Sequence, residues 1–223
     1  MGWYEKYKVD VPVGECGDWT VERFTFDRRA ADMERTRAMF TFSGGGRGVP
    51  EGTYTSLKRR GYLVMSDTPD EIRDHLGPIH EVVHAVKRGE KPTCLVHGLG
   101  LGMVAKAMLD EGAAKVTIVE QSSDVIDLVG KHLLHALGGS EEVFEGYEAN
   151  GSRSWATDRL SIINDDALTW QPLKGAKWDV LWHDIWDDLC TDNLPEMKIL
   201  HRRFGRRSRW QGSWGRELCE RAR

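Results

Sequence analysis

Residues 93–102 have the sequence Thr93-Cys-Leu-Val-His97-Gly98-Leu-Gly100-Leu-Gly102. The first five residues form a short and largely apolar run, which is typical of a buried strand. The three glycines predict a tight turn, because glycine tolerates backbone conformations that other residues avoid and lets the chain approach a ligand closely. Helical composition follows from 103 to 111, and the N-terminus of that helix would present N–H donors to a ligand.

The same alternation of strand and helix continues toward the C-terminus. Strands are predicted at 115–120, 159–164, 177–183 and 209–211, and helices at 123–137, 194–204 and the end of the chain. The segment 138–158 is rich in Gly, Ser, Glu and Asn and predicts a surface loop. Strands that alternate with helices indicate a parallel sheet covered on both faces. We therefore predict an α/β fold with a Rossmann-like, doubly wound and mostly parallel sheet of about five core strands, in which a closing antiparallel hairpin is absent.

The N-terminal part has a different pattern. Residues 19–27 alternate with strand period, and 53–67 predict two strands around the turn at Arg60-Gly61. Helices are predicted at 28–42 and 69–88, with a glycine-rich loop at 43–50 between the strands. We expect a small β-rich appendage at 1–68 and the Rossmann-like domain at 69–223.

Composition narrows the class of protein. The chain has 223 residues, 40% of them hydrophobic, and a formal net charge of −4, which excludes disordered and collagen-like proteins. No apolar run approaches the length of a transmembrane helix and no secretory signal is visible, so a cytoplasmic location is expected. Four scattered cysteines without a C-x-x-C pair predict reduced thiols and no metal site.

Charge is unevenly distributed along the chain. Residues 201–223 contain eight arginines and two glutamates, a net charge of +6. Such a segment could bind phosphate or nucleic acid. A solvated helix face that balances an acidic body is the favoured interpretation, since no base-reading motif accompanies the arginines.

Polar residues stand directly after the predicted parallel strands. In folds of this class, ligands bind at these carboxyl ends of the strands. Glu120 ends the second strand, 18 residues after Gly102, and can accept hydrogen bonds from ribose hydroxyls. Asp165 and Asp166 end the third strand and could accept from an exocyclic amine, although either could simply cap a turn. The dinucleotide fingerprint G-x-G-x-x-G would need glycine where Met103 stands, so an NAD site is disfavoured and a nucleoside site is plausible.

Taken together, these motifs resemble a known group. The ordered segments 94–102, 116–120, 164–167 and 178–184 are similar to the motifs of class I S-adenosylmethionine-dependent methyltransferases, and most similar to the spermidine synthase branch. The resemblance covers about residues 50–190. It includes the paired strands that lead into the acidic helix start at Asp70-Glu71 and His75.

The resemblance implies roles for individual residues. The cofactor-binding residues would be His97, Gly98, Gly100, Gly102, Glu120, Gln121, Asp165, Asp166 and Ala167. The glycine turn would lie alongside the amino-acid portion of S-adenosylmethionine, or the corresponding part of its decarboxylated form. Glu120 would bind the ribose, and Asp166 and Ala167 would lie on either side of the adenine. Asp184 would be the catalytic residue, because an aminopropyltransferase has at that position an acid that helps deprotonate the attacking amine. The substrate-binding residues would be Asp70, His75, His183 and Trp186.

The sequence also departs from the family. His97 stands where the superfamily often has an acid, and a histidine hydrogen-bonded at the strand end is an equally good interpretation. Gln121 follows Glu120 in place of the residues that spermidine synthases usually have there, which weakens the assignment of the chain as a polyamine-synthesising enzyme. Trp182 and Trp186 flank the dipeptide His183-Asp184 and could form the wall of a pocket for a cation or an aromatic ring, with Trp186 the better candidate.

These features predict a transferase, with methyl transfer to a small-molecule acceptor as the leading activity and aminopropyl transfer as the second. A catalytically silent nucleoside-binding or interaction protein is the alternative from another class, and modification of nucleic acid through the arginine-rich segment is a further one. Similarity to spermidine synthases suggests a homodimer, which no periodicity in the sequence demonstrates.

Overall fold

The computed structural model describes residues 2–40, 48–137 and 142–222. Its N-terminal elements are β1 (Gly14–Cys16), β2 (Trp19–Phe26), α1 (Arg28–Phe40), β3 (Gly52–Arg59), β4 (Tyr62–Ser66), α2 (Pro69–Asp74) and α3 (Leu76–Lys87). The four strands form an antiparallel sheet in the order β1-β2-β3-β4. The predicted strands are confirmed, and so is the first helix as far as Phe40, whereas residues 41–47, which include most of the predicted glycine-rich loop, lie outside the described residues.

The helix predicted at 69–88 is in fact two helices that separate at His75. Pro78 explains the break. It has no N–H to donate to the carbonyl of Asp74, and its ring would clash with that carbonyl in a continuous helix. The chain therefore changes direction at His75 and buries that side chain completely.

The remaining elements build the larger sheet. They are β5 (Thr93–His97), α4 (Met103–Asp110), β6 (Lys115–Glu120), α5 (Ser123–Val125), a π-helical turn (Ile126–Gly130), α6 (Lys131–Leu137), β7 (Phe144–Tyr147), β8 (Arg153–Ala156), β9 (Leu160–Asn164), β10 (Trp178–His183), α7 (Leu194–Phe204), β11 (Ser208–Ser213) and α8 (Arg216–Arg221). The strand order is β11-β10-β5-β6-β9-β8-β7. The first five strands in this order are parallel to one another, which confirms an α/β fold with a mostly parallel sheet.

A second structural prediction, that of the segment before β9, is also wrong. The segment 138–158 was expected to be a surface loop, but β7 and β8 form a hairpin that pairs antiparallel with β9. Trp155 anchors it, because its side chain is buried opposite Ile162. The other strand of the hairpin, β7, lies at the edge of the sheet. Its Phe144 and Tyr147 are exposed, so β7 has no clear burial pattern. This hairpin precedes β9 in the chain, so it is not the closing hairpin considered from the sequence, which would follow the last parallel strand.

Alternate residues of the parallel strands face two different hydrophobic layers, as the two-residue period of a strand requires. Val96 and Ile118 belong to the cluster that packs against α3, α4 and α6. Leu95 and Val119 face the opposite side, where Leu200 and Phe204 of α7 cover the sheet. The first cluster also contains Leu57 and Met65, so the N-terminal sheet shares the core of the larger sheet.

No helix in the described part of the chain is long and apolar enough to cross a membrane.

The glycine turn after β5 contacts two other parts of the molecule. Gly98 has φ +91°, and a Cβ at this residue would overlap the carbonyl oxygen of Asp184, which follows β10. On the other side of the turn, the N–H of Leu101 points to the sulfur of Met65 on β4 at 3.3 Å. The turn is thus held between the end of β10 and the N-terminal sheet.

Replacement of Gly98 tests this packing. We expect Gly98→Ala to lower the free energy of unfolding by about 3 kcal/mol or more, because a Cβ must displace backbone as well as adopt a left-handed conformation. Gly61→Ala is the matched control, since Gly61 has φ +82° but open space around it, and should cost about 1 kcal/mol. Urea unfolding measures both values. Equal losses for the two variants would contradict the packing argument.

Candidate functional site

A cavity of about 650 Å³ lies where the parallel strands end. Strand register brings these ends together, because His97 is opposite both Val119 and His183 in its neighbouring strands, and Glu120 is opposite Asn164. The N-terminal sheet supplies a further wall of the cavity through Leu57 and Met65. The location is the one expected for a ligand site in a parallel α/β fold.

The lining of the cavity is strongly acidic. Among the described residues that line it are nine carboxylates and one basic side chain, Arg59. The acids are Asp18, Glu71, Glu120, Asp124, Asp166, Asp184, Asp187, Asp188 and Glu196. Arg59 is itself paired with Asp187, at 3.2 Å between Nη1 and Oδ2. A cavity with this charge pattern favours a cationic ligand.

Glu120 connects β6 to the glycine turn. The N–H of Leu99 donates to Oε2 at 2.8 Å, and the N–H of Ser122 donates to Oε1 at 2.7 Å. Burial raises the pKa of Glu120, and these N–H donors lower it by less. A carboxylate has about four acceptor positions, so the two oxygens can still accept hydrogen bonds from ligand hydroxyls.

The two aspartates after β9 have different environments. Asp165 faces away from the cavity and accepts hydrogen bonds from Asn150 and Ser152 of the β7–β8 hairpin. Asp166 lines the cavity, and its Oδ1 accepts from the N–H of Leu168 at 2.8 Å. Asp165 therefore fixes the hairpin to the sheet, whereas Asp166 both caps its own turn and faces the site.

Asp184 follows β10 and faces the cavity next to the glycine turn. Its N–H donates to the carbonyl of His97 at 2.9 Å, which fixes the position of the residue. Burial raises the pKa of Asp184 to about 6, against the opposing effect of His75. A carboxylate with a pKa near neutrality can take up a proton and release it again at working pH.

Trp186 lies in the loop beyond Asp184 and lines the cavity. Its Nε1–H donates to Oε2 of Glu196 on α7 at 2.8 Å. The ring is therefore oriented by a second element, and it presents an aromatic surface to a ligand among acidic groups.

His97 and His183, which were predicted to contact cofactor and substrate, lie beneath the cavity and bond to each other. Both side chains are fully buried, and their Nδ1 atoms are 2.9 Å apart. Gln211 determines which ring donates. Its amide donates to the carbonyl of His201, so its oxygen is free to accept from His183 Nε2 at 3.4 Å. His183 then accepts at Nδ1 from His97 Nδ1–H, and both rings are neutral.

Burial lowers the pKa of both members of this histidine pair, that of His97 to about 3. Protonation of His183 at Nδ1 would place a second hydrogen between the two Nδ1 atoms, and protonation of His97 would place a charge on its Nε2, which is buried without a hydrogen-bond partner. Burial, together with the nearby Arg216, lowers the pKa of the neighbouring His201 to about 4. Arg216 donates to its Nδ1, and its Nε2 faces the hydroxyl of Ser213. The pair is thus a structural link between β5 and β10.

The other predicted residues are divided between the cavity and its surroundings. Gly98, Gly100, Gln121 and Ala167 line the cavity. Gly102 starts α4 in a left-handed conformation, and a Cβ there would overlap Leu133, so it packs two helices together.

Two of the predicted substrate-binding residues, Asp70 and His75, are not among the residues that line the cavity. Asp70 pairs with Arg73 on its own helix at 2.5 Å.

Several lining residues were not singled out from the sequence. Arg59, Met65, Asp124 and Glu196 reach the cavity from four different segments. Asp124 and Glu196 had a weak signal, since acids in the first turn of a helix after a parallel strand lie near the carboxyl edge of the sheet. Arg59 and Met65 depend on the way the N-terminal sheet folds over the site.

Comparison with known proteins gives distant structural similarities. No protein-family model and no curated protein matches the chain. The candidate methylase HI0767 of Haemophilus influenzae is 19% identical over 57% of this chain and 64% of its own, with a TM-score of 0.40. The candidate methyltransferase yhhF of Escherichia coli is 16% identical over 64% of each chain, with a TM-score of 0.41.

A third solved structure, magnesium protoporphyrin IX methyltransferase from Synechocystis PCC 6803 with bound SAM, is 14% identical over 60% of this chain and 55% of its own, with a TM-score of 0.39. The chain therefore spans less than two thirds of the length of each of these three proteins. Its function has to be derived from the residues of its own cavity.

The neutral histidine pair predicts a specific loss of stability in acid. Histidine in an unfolded chain has a pKa of about 6.5, well above the folded values. Below about pH 6.5 the unfolded chain binds more protons than the folded chain does. The stabilisation by the histidine pair is therefore lost progressively as the pH falls toward the pKa of the pair in the folded protein. We expect the double variant His97→Leu/His183→Leu to lose less of its free energy of unfolding than the parent between about pH 7 and about pH 4.5.

Urea unfolding at several pH values measures this difference. Asp184 contributes with the opposite sign, because its folded pKa is raised, but it is present in both proteins and cancels in the comparison. His80→Leu, at an exposed position on α3, is the control and should follow the parent. The same pH dependence in parent and double variant would refute neutral pairing.

Proposed function

We propose that the chain is an S-adenosylmethionine-dependent methyltransferase that binds its cofactor in the acidic cavity. The proposal depends on one arrangement above all. Glu120, bonded to the glycine turn through the N–H of Leu99, and Asp184, packed against the same turn, face one cavity at the carboxyl edge of the sheet.

The residues present fit an adenosyl sulfonium. Gly98 and Gly100 expose backbone to the cavity, and Glu120 keeps acceptor positions for ribose hydroxyls. Asp166 and Ala167 lie beyond it, where a purine and its exocyclic amine would find an acceptor and an apolar contact. The acidic lining also favours the positive charge of a sulfonium.

The bound cofactor would supply an electrophilic methyl carbon, and the chain would supply position and a proton acceptor. Asp184 is the candidate base, since it is partly buried, lines the cavity and has a pKa of about 6. As the acceptor forms its bond to the methyl carbon and the carbon–sulfur bond breaks toward sulfur, Asp184 would take the proton that the acceptor loses. Trp186, oriented by Glu196, would exclude water on one side.

Aminopropyl transfer, as in spermidine synthases, is the second candidate, and the charge of the cavity favours it. S-adenosylmethionine has a carboxylate that needs a cationic or N–H partner. The one basic residue among the described lining residues, Arg59, is already paired with Asp187. The decarboxylated cofactor lacks that carboxylate and carries more positive charge, as does a polyamine acceptor. The two activities differ in which cofactor binds more tightly.

Calorimetric titration tests the cofactor. The parent should bind S-adenosylmethionine and S-adenosylhomocysteine, and tighter binding of decarboxylated S-adenosylmethionine would select aminopropyl transfer. Glu120→Gln should weaken binding at least about tenfold, because a charged acceptor of hydrogen bonds is lost. Glu145→Gln, on the hairpin outside the cavity, is the control and should bind as the parent does. Binding of NAD without any sulfonium ligand would refute the proposal.

Replacement of Asp184 tests the chemistry. Asp184→Asn should retain cofactor binding and lose about 10²-fold to 10⁴-fold in turnover, the usual contribution of a general base. Turnover is measured as S-adenosylhomocysteine or methylthioadenosine released with a panel of amine and hydroxyl acceptors. Cofactor binding without turnover in the parent would instead identify a silent nucleoside-binding protein.

Binding of nucleic acid through the arginine-rich segment stays a prediction. In the structure Arg203 and Arg207 donate to main-chain carbonyls, and Arg209 pairs with Glu90 and Asp179. Arg203 and Arg207 are thus held against the fold, and two carboxylates offset the charge of Arg209. A steep loss of RNA affinity with salt would support the nucleic-acid alternative.

A further inference from the structure

We infer that His75 is a positioning residue for Asp184, which it contacts from behind the cavity. The inference rests on the proposed function in one respect, namely that Asp184 faces the acceptor. The sequence predicted His75 as a substrate ligand. However, its side chain is 1% exposed, so the protein itself supplies its contacts.

The tautomer of His75 follows from its hydrogen bonds. The indole Nε1–H of Trp182 donates to His75 Nδ1 at 3.2 Å, so Nδ1 carries a lone pair in the neutral ring. The ring proton is therefore on Nε2. This atom is completely buried and has no hydrogen-bond partner within normal distance, which is an unusual state for a buried donor.

Trp182 is held in place independently of His75. Its ring stacks on Trp210, with centroids 6.3 Å apart and planes 10° from parallel. Gly212 on β11 leaves room for this stack, since a Cβ there would lie 2.7 Å from Trp210 and 2.8 Å from Trp182. The indole donor is thus fixed by packing, and it fixes the orientation of the imidazole.

Two carboxylates lie near the unpartnered Nε2. Oε1 of Glu71 is 3.5 Å away and Oδ2 of Asp184 is 3.7 Å away. Asp74 on the same helix as Glu71, and Glu120 from β6, add negative charge around this group. A shift of about half an ångström would form a hydrogen bond with either partner.

This arrangement divides the two oxygens of Asp184 between two tasks. Oδ2 faces the N–H of His75, which favours the ionised carboxylate and sets its orientation. Oδ1 remains for the proton that an acceptor loses, and that proton then passes to solvent. Without His75, Asp184 would be a buried acid among other acids, and its protonated form would be favoured before any acceptor arrived.

Carboxyl ¹³C NMR on the full chain tests the inference without any acceptor. The titration midpoint of Asp184 should rise by about one pH unit in His75→Leu, because the donor is lost. His75→Gln, whose amide can place an N–H near the former Nε2, should return the midpoint toward the parent value. His80→Leu on the surface of α3 is the control and should leave the midpoint unchanged. An unchanged midpoint in His75→Leu would overturn the inference.

A second measurement uses the parent alone, in case His75→Leu does not fold. ¹⁵N shifts of the His75 ring should identify Nε2–H with a bare Nδ1, and Trp182→Phe should remove this preference. A ring protonated at Nδ1 in the parent would overturn the inference.

Titration of the same samples with S-adenosylmethionine separates the two proposals. Binding with an unmoved Asp184 midpoint leaves the proposed function standing and rejects the role of His75. A shifted midpoint without any sulfonium binding supports the role of His75 and rejects the proposed function.

Discussion

The close contact between the glycine turn after β5 and the backbone after β10 is the constraint on which the site depends. At Gly98 the two segments approach so closely that no side chain fits against the carbonyl of Asp184. The same turn donates an N–H to Glu120 and meets Met65 of the N-terminal sheet. One backbone junction therefore sets the relative positions of Glu120, Asp184 and the N-terminal sheet that lines the same cavity.

Beneath this junction a pair of neutral imidazoles joins two strands. The side chains of His97 and His183 form a hydrogen bond between β5 and β10. Nearby, the ring of His75, between α2 and α3, accepts a hydrogen bond from Trp182 of β10. In each case a neighbouring donor or amide determines which nitrogen carries the proton. The other ring nitrogens, Nε2 of His97 and Nε2 of His75, are buried without a hydrogen-bond partner, so these hydrogen bonds fix the tautomers without satisfying every nitrogen. The hydrogen bonds thus convert titratable residues into fixed supports beneath the acidic cavity.

The cavity next to this junction is lined by charged side chains that are almost all negative. Acids reach the cavity from the N-terminal sheet, from α2, from the ends of β6, β9 and β10, and from α7. Burial, and to a lesser extent repulsion by neighbouring acids, raises the pKa of Asp184 and that of Glu120. An arrangement of this kind is unfavourable for the empty protein and favourable for a bound cation, which is the physical basis for proposing a sulfonium cofactor.

The sequence by itself determined the alternation of strands and helices, the glycine turn, and the residues Glu120, Asp166 and Asp184 at the ends of strands. These features are local, because the two-residue period of a buried strand and the conformational freedom of glycine are properties of neighbouring residues. The hairpin at β7 and β8 was missed because its edge strand has little burial to impose a pattern.

Only the tertiary structure decided which strand ends meet, and with them the roles of the histidines. His97 contacts His183 from 86 residues away, and His75 reaches Asp184 from the point where α2 ends, because Pro78 prevents one continuous helix there. Such contacts leave no period in the sequence, since they depend on strand order and on the path of the N-terminal sheet. The residue types therefore predicted a site, and the packing selected the residues that line it.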